Sequence, residues 1–178
     1  MTKVVSKLLP TNSPKRLGVI NPEFITIHET SLGTELRPKE RDFHYYYDIL
    51  LHSENQIGYH FLVEANYDND GVIYQFLETS VMTRHSGTLE GNSRSIGIER
   101  LVNVETDMDR AIDLQAQLAA TLMNMYNIPI ENVVPHKYWS GKECPARLLA
   151  GMYGWNWEKF IKRVKYHFEN HNWIKGIV

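Results

Sequence analysis

"FITIHET", residues 24–30, alternates strictly, with Ile25 and Ile27 on one face of an extended chain and Thr26 and His28 on the other. Successive side chains of a β-strand point to opposite faces. The pattern therefore predicts a strand with one buried apolar face and one polar face carrying an imidazole. "RSIGIERL" (94–101) reads the same way, with Ile96 and Ile98 on one face and Ser95, Gly97 and Glu99 on the other.

Around these two segments the remaining elements fall into place. "GYHFLVEA" (58–65) and "GVIYQFLE" (71–78) are β-rich runs separated by "NYDNDG", whose Asp70-Gly71 end is a strong turn signal, so an antiparallel hairpin is expected. Residues 38–52 read as a helix with a broad aromatic and aliphatic face. A second helix places Ala111, Leu114, Gln115, Leu118, Ala119, Leu122 and Met125 at helical spacing and ends near Asn127. Its start, Thr106 with Asp109, resembles a capping box. "NVVPH" (132–136) is a short strand, and a third helix begins near Asn156, with Trp157, Phe160, Ile161, Val164 and Phe168 on its buried side. Strands and helices mixed in this way, with an antiparallel component, predict an α/β domain, a central mixed β-sheet flanked by helices.

At 178 residues the chain suffices for one domain that buries roughly 70% of its unfolded surface. Residues 1–23, with Pro10, Pro14, Gly18 and Pro22, read as an extended lead-in of the same domain, 24–170 as the domain proper, and 171–178 as a tail or linker. A formal net charge of −2 argues against broad electrostatic binding to nucleic acid and gives no polybasic membrane anchor. A single cysteine excludes an internal disulfide. No apolar run before Pro10 is long enough for a signal-peptide core, and none approaches the ~20 residues of a membrane span, so synthesis in the cytoplasm is expected.

That one cysteine, Cys144, lies in "HKYWSGKECPARLL" (136–149), a loop whose polar neighbours suit a buried structural thiol poorly. It reads as a metal ligand or a nucleophile. His28, His136 and Cys144 offer two imidazoles and a thiolate, a set that suits Zn²⁺ and leaves a fourth tetrahedral position open, as catalytic sites do. Water activated by a metal needs a base, and Glu99, on the polar face beside Gly97 where a substrate could approach, is suited to that role. Its structural alternative is an exposed carboxylate paired with Arg100 or Arg94. Among the other histidines, His44, His52, His167 and His171 read as surface or packing residues.

Taken in order, "ITIHET", "GYHFLVE", "RHSG", "SIGIE" and "PHKYWSGKECP" resemble the zinc-dependent N-acetylmuramoyl-L-alanine amidases of type 2, a family that includes phage endolysins and animal peptidoglycan recognition proteins. The resemblance spans roughly residues 20–165. It implies a mixed sheet flanked by helices, zinc in a surface groove held by His28, His136 and Cys144, and hydrolysis of the amide between N-acetylmuramic acid and L-alanine of bacterial peptidoglycan. It further implies catalytic roles for Glu99, Tyr59 and Lys142, and groove or substrate-binding positions for His60, His85 and Arg94. Glu29 and Arg94 depart from the family pattern, which more often has an aromatic or His at the first position and Asn at the second. The resemblance suggests a monomeric phage or prophage endolysin domain, released to the wall after membrane permeabilisation and followed by a wall-binding module. The alternatives are a cytoplasmic muropeptide-recycling amidase, a non-catalytic peptidoglycan-binding module, and a cysteine peptidase using Cys144 and His136.

Overall fold

A computed structural model describes residues 3–30, 33–68 and 70–178. In chain order the elements are β1 (Lys3–Ser6), β2 (Gly18–Val19), β3 (Phe24–Glu29), α1 (Phe43–His52), β4 (Phe61–Glu64), β5 (Val72–Gln75) and β6 (Val81–Met82). There follow α2 (Leu89–Arg94), β7 (Ser95–Arg100), α3 (Met108–Tyr126), β8 (Val133–Pro135), α4 (Lys137–Ser140), α5 (Ala146–Leu149) and α6 (Trp157–Glu169). The main sheet has the order β1-β5-β4-β7-β3-β8, and β2 pairs with β6 in a small separate ribbon. Only β4 and β5 run antiparallel in the main sheet, as the hairpin expectation required. The other four pairings are parallel. The sheet is mixed and helix-flanked.

Both faces of the sheet are buried. On one face Ile25, Ile27, Phe61, Val63, Ile96 and Ile98 pack against α3, with α6 outside it through Phe160 and Val164. On the other face Leu62, Phe76 and Leu101 meet Phe43 and Leu50 of α1. The polar side of β3 is therefore buried as well, its Thr26 and His28 at 0% and 2% exposure, because α4 and the turns after β6 cover it.

Local chemistry adjusts several boundaries. α1 starts at Phe43 rather than Pro38, because Asp42 caps it by accepting the Tyr45 N–H at 3.1 Å, and residues 38–41 form a turn. Asp107, not Thr106, caps α3 by accepting the Arg110 N–H at 3.1 Å; the Thr106 hydroxyl accepts from Asn103 N instead. α3 ends at Asn127 in the left-handed conformation, as its sequence suggests. On α6, His167 is buried and bonded to Asp113 at 2.8 Å, while Phe168 is 37% exposed.

The two ends of the described chain are also part of the body. The lead-in supplies β1, an edge strand in register with β5, and β2. Within residues 171–178, Ile174 is buried and the Val178 N–H donates to Gln75 Oε1, so this segment lies against the sheet rather than leaving it. Among the described residues no helix is long and apolar enough to cross a membrane.

Candidate metal centre and active site

Three parallel strands end side by side and deliver the site. His28 and Glu99 occupy paired positions on β3 and β7, and His136 follows directly after β8, which pairs with β3. Carboxyl ends of parallel strands are where α/β sheets place their ligands. The turn after α4 brings in Cys144. That turn needs Gly141, which caps α4 at φ 77°, a left-handed conformation glycine adopts without strain. One ligand atom each from His28, His136 and Cys144 lie within 4.8 Å of one another.

The tautomers follow from the hydrogen bonds. His85 Nε2 is 3.1 Å from the Ser95 carbonyl oxygen, which can only accept, so Nε2 carries the proton. His85 Nδ1 therefore accepts from His28 Nε2–H at 3.0 Å, leaving a lone pair on His28 Nδ1. That atom faces His136 Nδ1 at 3.1 Å, while the His136 ring bonds to the Ser86 backbone. Two imidazole lone pairs directed at each other repel unless a cation lies between them. Such a relay, with the outer ring fixing the inner one, is how metal-binding histidines are oriented.

Burial, followed by the neighbouring imidazoles His85 and His136, holds His28 well below its ordinary pKa. Burial and then the Lys142 ammonium push His136 down to about 4. Both rings thus stay neutral, as metal ligands must. Cys144 is 4% exposed, contrary to the open polar loop its sequence suggests, and burial followed by the Glu99 carboxylate pushes its thiol up to about 12. A thiol so disfavoured as a free anion is no ready nucleophile, which removes the support for a cysteine peptidase; beside a divalent cation it becomes a thiolate ligand.

Glu99 Oε1 lies 4.0 Å from His28 Nδ1, and its Oε2 is buried with no hydrogen-bond partner among the described residues. Burial pushes this carboxyl to about 8, with Lys142 pulling in the opposite direction. It pairs with neither Arg100 nor Arg94. The Tyr59 hydroxyl is likewise buried without a partner, and desolvation followed by the charge of Glu99 raises its pKa well above the ordinary value. Lys142 is exposed and, with His136, His85, Arg84 and Ser140, lines a groove of about 820 Å³.

Two of the expected groove residues sit elsewhere. His60 is fully buried, accepting from Gly97 N at 3.0 Å and bonding the Val81 carbonyl at 2.8 Å, so both ring nitrogens are used and neither meets a ligand. Arg94 precedes β7, roughly 16 Å of extended chain from Glu99, and pairs with Glu23 and Glu90 at the far end of the sheet. The space beside Gly97 is also not open to substrate. A Cβ there would come within 2.8 Å of His85 Nδ1, so glycine is what lets that imidazole lie on the strand.

Sequence reasoning passed over Asn92 and Gln115. Asn92 Oδ1 accepts from His85 N, Ser86 N and Ser86 Oγ, each at 2.9 Å, and so shapes the turn that carries His85. Gln115 donates to the carbonyls of His28 and Ile98 at 2.9 and 3.1 Å. A polar residue at a core position of an apolar helical stripe was its signal.

Fold and donor set together define a helix-flanked mixed-sheet domain with a His-His-Cys site at the strand ends. The chain belongs to the N-acetylmuramoyl-L-alanine amidase family (Amidase_2), whose profile matches residues 19–147. It is 34% identical over 166 residues to N-acetylmuramoyl-L-alanine amidase XlyA of Bacillus subtilis (strain 168), covering 90% of this chain and 50% of that protein. It is 32% identical to the amidase CwlH of the same strain, covering 92% and 62%. The chain thus spans about half to three-fifths of the length of these curated relatives. Among solved structures it resembles the catalytic domain of XlyA (TM-score 0.78, 33% identity, 91% and 99% coverage). It also resembles a mutant endolysin from Bacillus subtilis (TM-score 0.78, 34% identity, 92% and 99% coverage).

Proposed function

We propose that this domain hydrolyses the amide between the lactyl group of N-acetylmuramic acid and L-alanine in bacterial peptidoglycan, using Zn²⁺ held by His28 Nδ1, His136 Nδ1 and the Cys144 thiolate. The observation that carries the reading is the pair of facing Nδ1 lone pairs beside a buried carboxylate oxygen without a partner. When bound, Zn²⁺ polarises the scissile carbonyl and makes water nucleophilic near neutral pH. A cation at His28 also favours the charged form of Glu99.

Glu99 takes a proton from the attacking water at Oε2 and returns it to the leaving alanine nitrogen. Negative charge gathers on the carbonyl oxygen as the tetrahedral centre forms. The Lys142 ammonium at the groove and the Tyr59 hydroxyl are the donors available to it. The 820 Å³ groove beside His136 and Lys142 accommodates the polymer. The domain acts as a monomer and as the catalytic part of a phage or prophage endolysin, synthesised in the cytoplasm and reaching the wall once the membrane is permeabilised.

The test is digestion of purified cell wall. Soluble peptides with a new N-terminal alanine should appear, disappear with a chelator, and return when Zn²⁺ is restored. Wall binding without release would establish a recognition module instead, and activity that survives full metal removal would exclude the zinc reading.

A further inference from the structure

His28 is 108 residues from His136 in the chain, and Cys144 follows His136 in a short turn of its own. Directly behind the site, on the opposite face of the same two strands, lies a buried charged cluster. Glu29 follows His28, Arg100 follows Glu99, and the two are register partners. The Glu29 carboxylate bonds Arg100 Nη2 through one oxygen. Its other oxygen accepts from Arg147 N at 3.1 Å and Arg147 Nη1 at 3.0 Å. Arg100 also donates to Gln115 Oε1 at 2.9 Å, and Gln115 holds the His28 carbonyl.

Arg147 belongs to α5, which starts two residues after Cys144 and receives no side-chain cap from Pro145. Glu29 supplies that missing acceptor from another strand. Cys144 Sγ in turn lies 4.0 Å from the Glu29 carbonyl oxygen. One residue therefore touches the thiol through its backbone and the helix behind the thiol through its side chain. Glu29, Arg100 and Arg147 are 4%, 0% and 1% exposed. Burying three charges is costly, and apolar residues of similar volume commonly stabilise a fold as well. The role that justifies ionic groups here is geometric: a carboxylate held by one N–H from each of two guanidiniums and by a backbone N–H has one orientation, whereas an apolar contact slides.

We propose that Glu29 is a positioning residue, held between Arg100 and Arg147, that docks the Cys144 turn on β3 so the thiol meets His28 and His136 already in ligand geometry. The inference rests on the metal reading above. Its test is Zn²⁺ affinity, measured by competition with a chromogenic chelator, together with the thiolate charge-transfer band of the Co²⁺-loaded protein. Glu29→Gln should bind Zn²⁺ about 10–100-fold more weakly than the parent, as removal of outer-shell support does, and its Co²⁺–thiolate band should shift or weaken. Asp113→Asn, in the ion cluster between α3 and α6, serves as a stability control. It should lower the thermal midpoint yet keep Zn²⁺ affinity within about twofold, since it touches no ligand-bearing segment.

Affinity and Co²⁺ spectrum of Glu29→Gln equal to the parent's overturn the proposal. If Glu29→Gln does not fold, Arg147→Lys, which keeps the charge but loses the guanidinium that bonds Glu29 and the Gly33 and Glu35 carbonyls together, should show about a tenfold loss; unchanged affinity there overturns it too. If neither variant folds, the cluster is a stability element and the proposal falls. A parent protein that binds no Zn²⁺ would instead sink the metal reading itself, a different outcome.

Discussion

The two faces of β3 and β7 differ sharply at their carboxyl ends. On the core face, Glu29, Arg100, Arg147 and Gln115 match donors to acceptors, leaving only the two arginine Nε atoms unpaired. On the other face, one residue earlier in each strand, two lone pairs confront each other, and Glu99 Oε2 and the Tyr59 hydroxyl have no partner among the described residues. Buried polar groups are almost always satisfied. Each arginine Nε belongs to a guanidinium whose other nitrogens are bonded, whereas opposed lone pairs, a carboxylate oxygen and a hydroxyl left together are the donor set a cation and a polar substrate would complete. The core face holds the backbone still, and the other face can then be incomplete at fixed geometry. Stability and reactivity are divided between two sides of the same ribbon.

The largest effects should come from the incomplete face. Cys144→Ser is expected to lose bound metal and wall hydrolysis together, by on the order of 10³-fold or more, because several kcal/mol of charge stabilisation leave with the ion. Metal analysis alongside turnover checks it; a variant that stays active with stoichiometric metal would remove the thiol from the ligand set. Glu99→Gln separates the two functions of that face. It should keep full metal content while kcat falls about 10²- to 10⁴-fold, the usual contribution of a positioned base. Near-parent kcat would take Glu99 out of the reaction.

A smaller effect concerns stability. Burial holds His60 down at about 4, against 6.5 for a free imidazole. Between these values the unfolded chain binds a proton that the folded chain refuses, so stability rises with pH. It is complete above about pH 6.5 and is lost as pH falls towards 4, by roughly 3 kcal/mol for this residue. Urea denaturation midpoints from pH 7 to 4, with the His60 ring followed by NMR, test this. A ring that titrates near 6.5 in the folded protein would show that it is not sealed from water as the fold places it. Bound metal should protect His28 and His136 from the same titration but leave His60 unchanged, because only the first two offer a lone pair to the site.

Alternation made the two strands readable, and with them the polar face carrying His28 and Glu99. Helical spacing likewise revealed α3 and α6. The charged layer behind them left a signal that went unread: Glu29 continues the parity of Ile25 and Ile27, and Arg100 that of Ile96 and Ile98, with opposite charges. What the sequence lacks is the register. β3 and β7 are far apart in the chain, and no local pattern states that residue 29 pairs with residue 100. His60 and His85 illustrate the same limit. One stands in a β-rich run and the other in a short polar motif, yet the first is sealed beneath the sheet and the second braces His28, a difference decided by Gly97 on a strand neither belongs to. The edge strand β1 has four residues and no period to betray it.

The smallest expected effect lies at the opposite end of the same strands. Arg94 stands where the family pattern suggests a substrate contact, yet its guanidinium bonds Glu23 at 2.8 Å and Glu90 at 2.7 Å and lies over the Phe24 ring at 4.9 Å. Both ion pairs are at the surface, where screening and side-chain entropy cancel most of their worth. Arg94→Ala should therefore change stability by no more than about 1 kcal/mol and leave kcat/KM on purified wall within about twofold, since the separation from Glu99 exceeds a Debye length at physiological salt. A loss of tenfold or more in kcat/KM with kcat retained would mean that the polymer extends along the whole edge of the sheet. The contrast between the two ends of β7 would then be one of degree, with recognition at the amino end and chemistry at the carboxyl end.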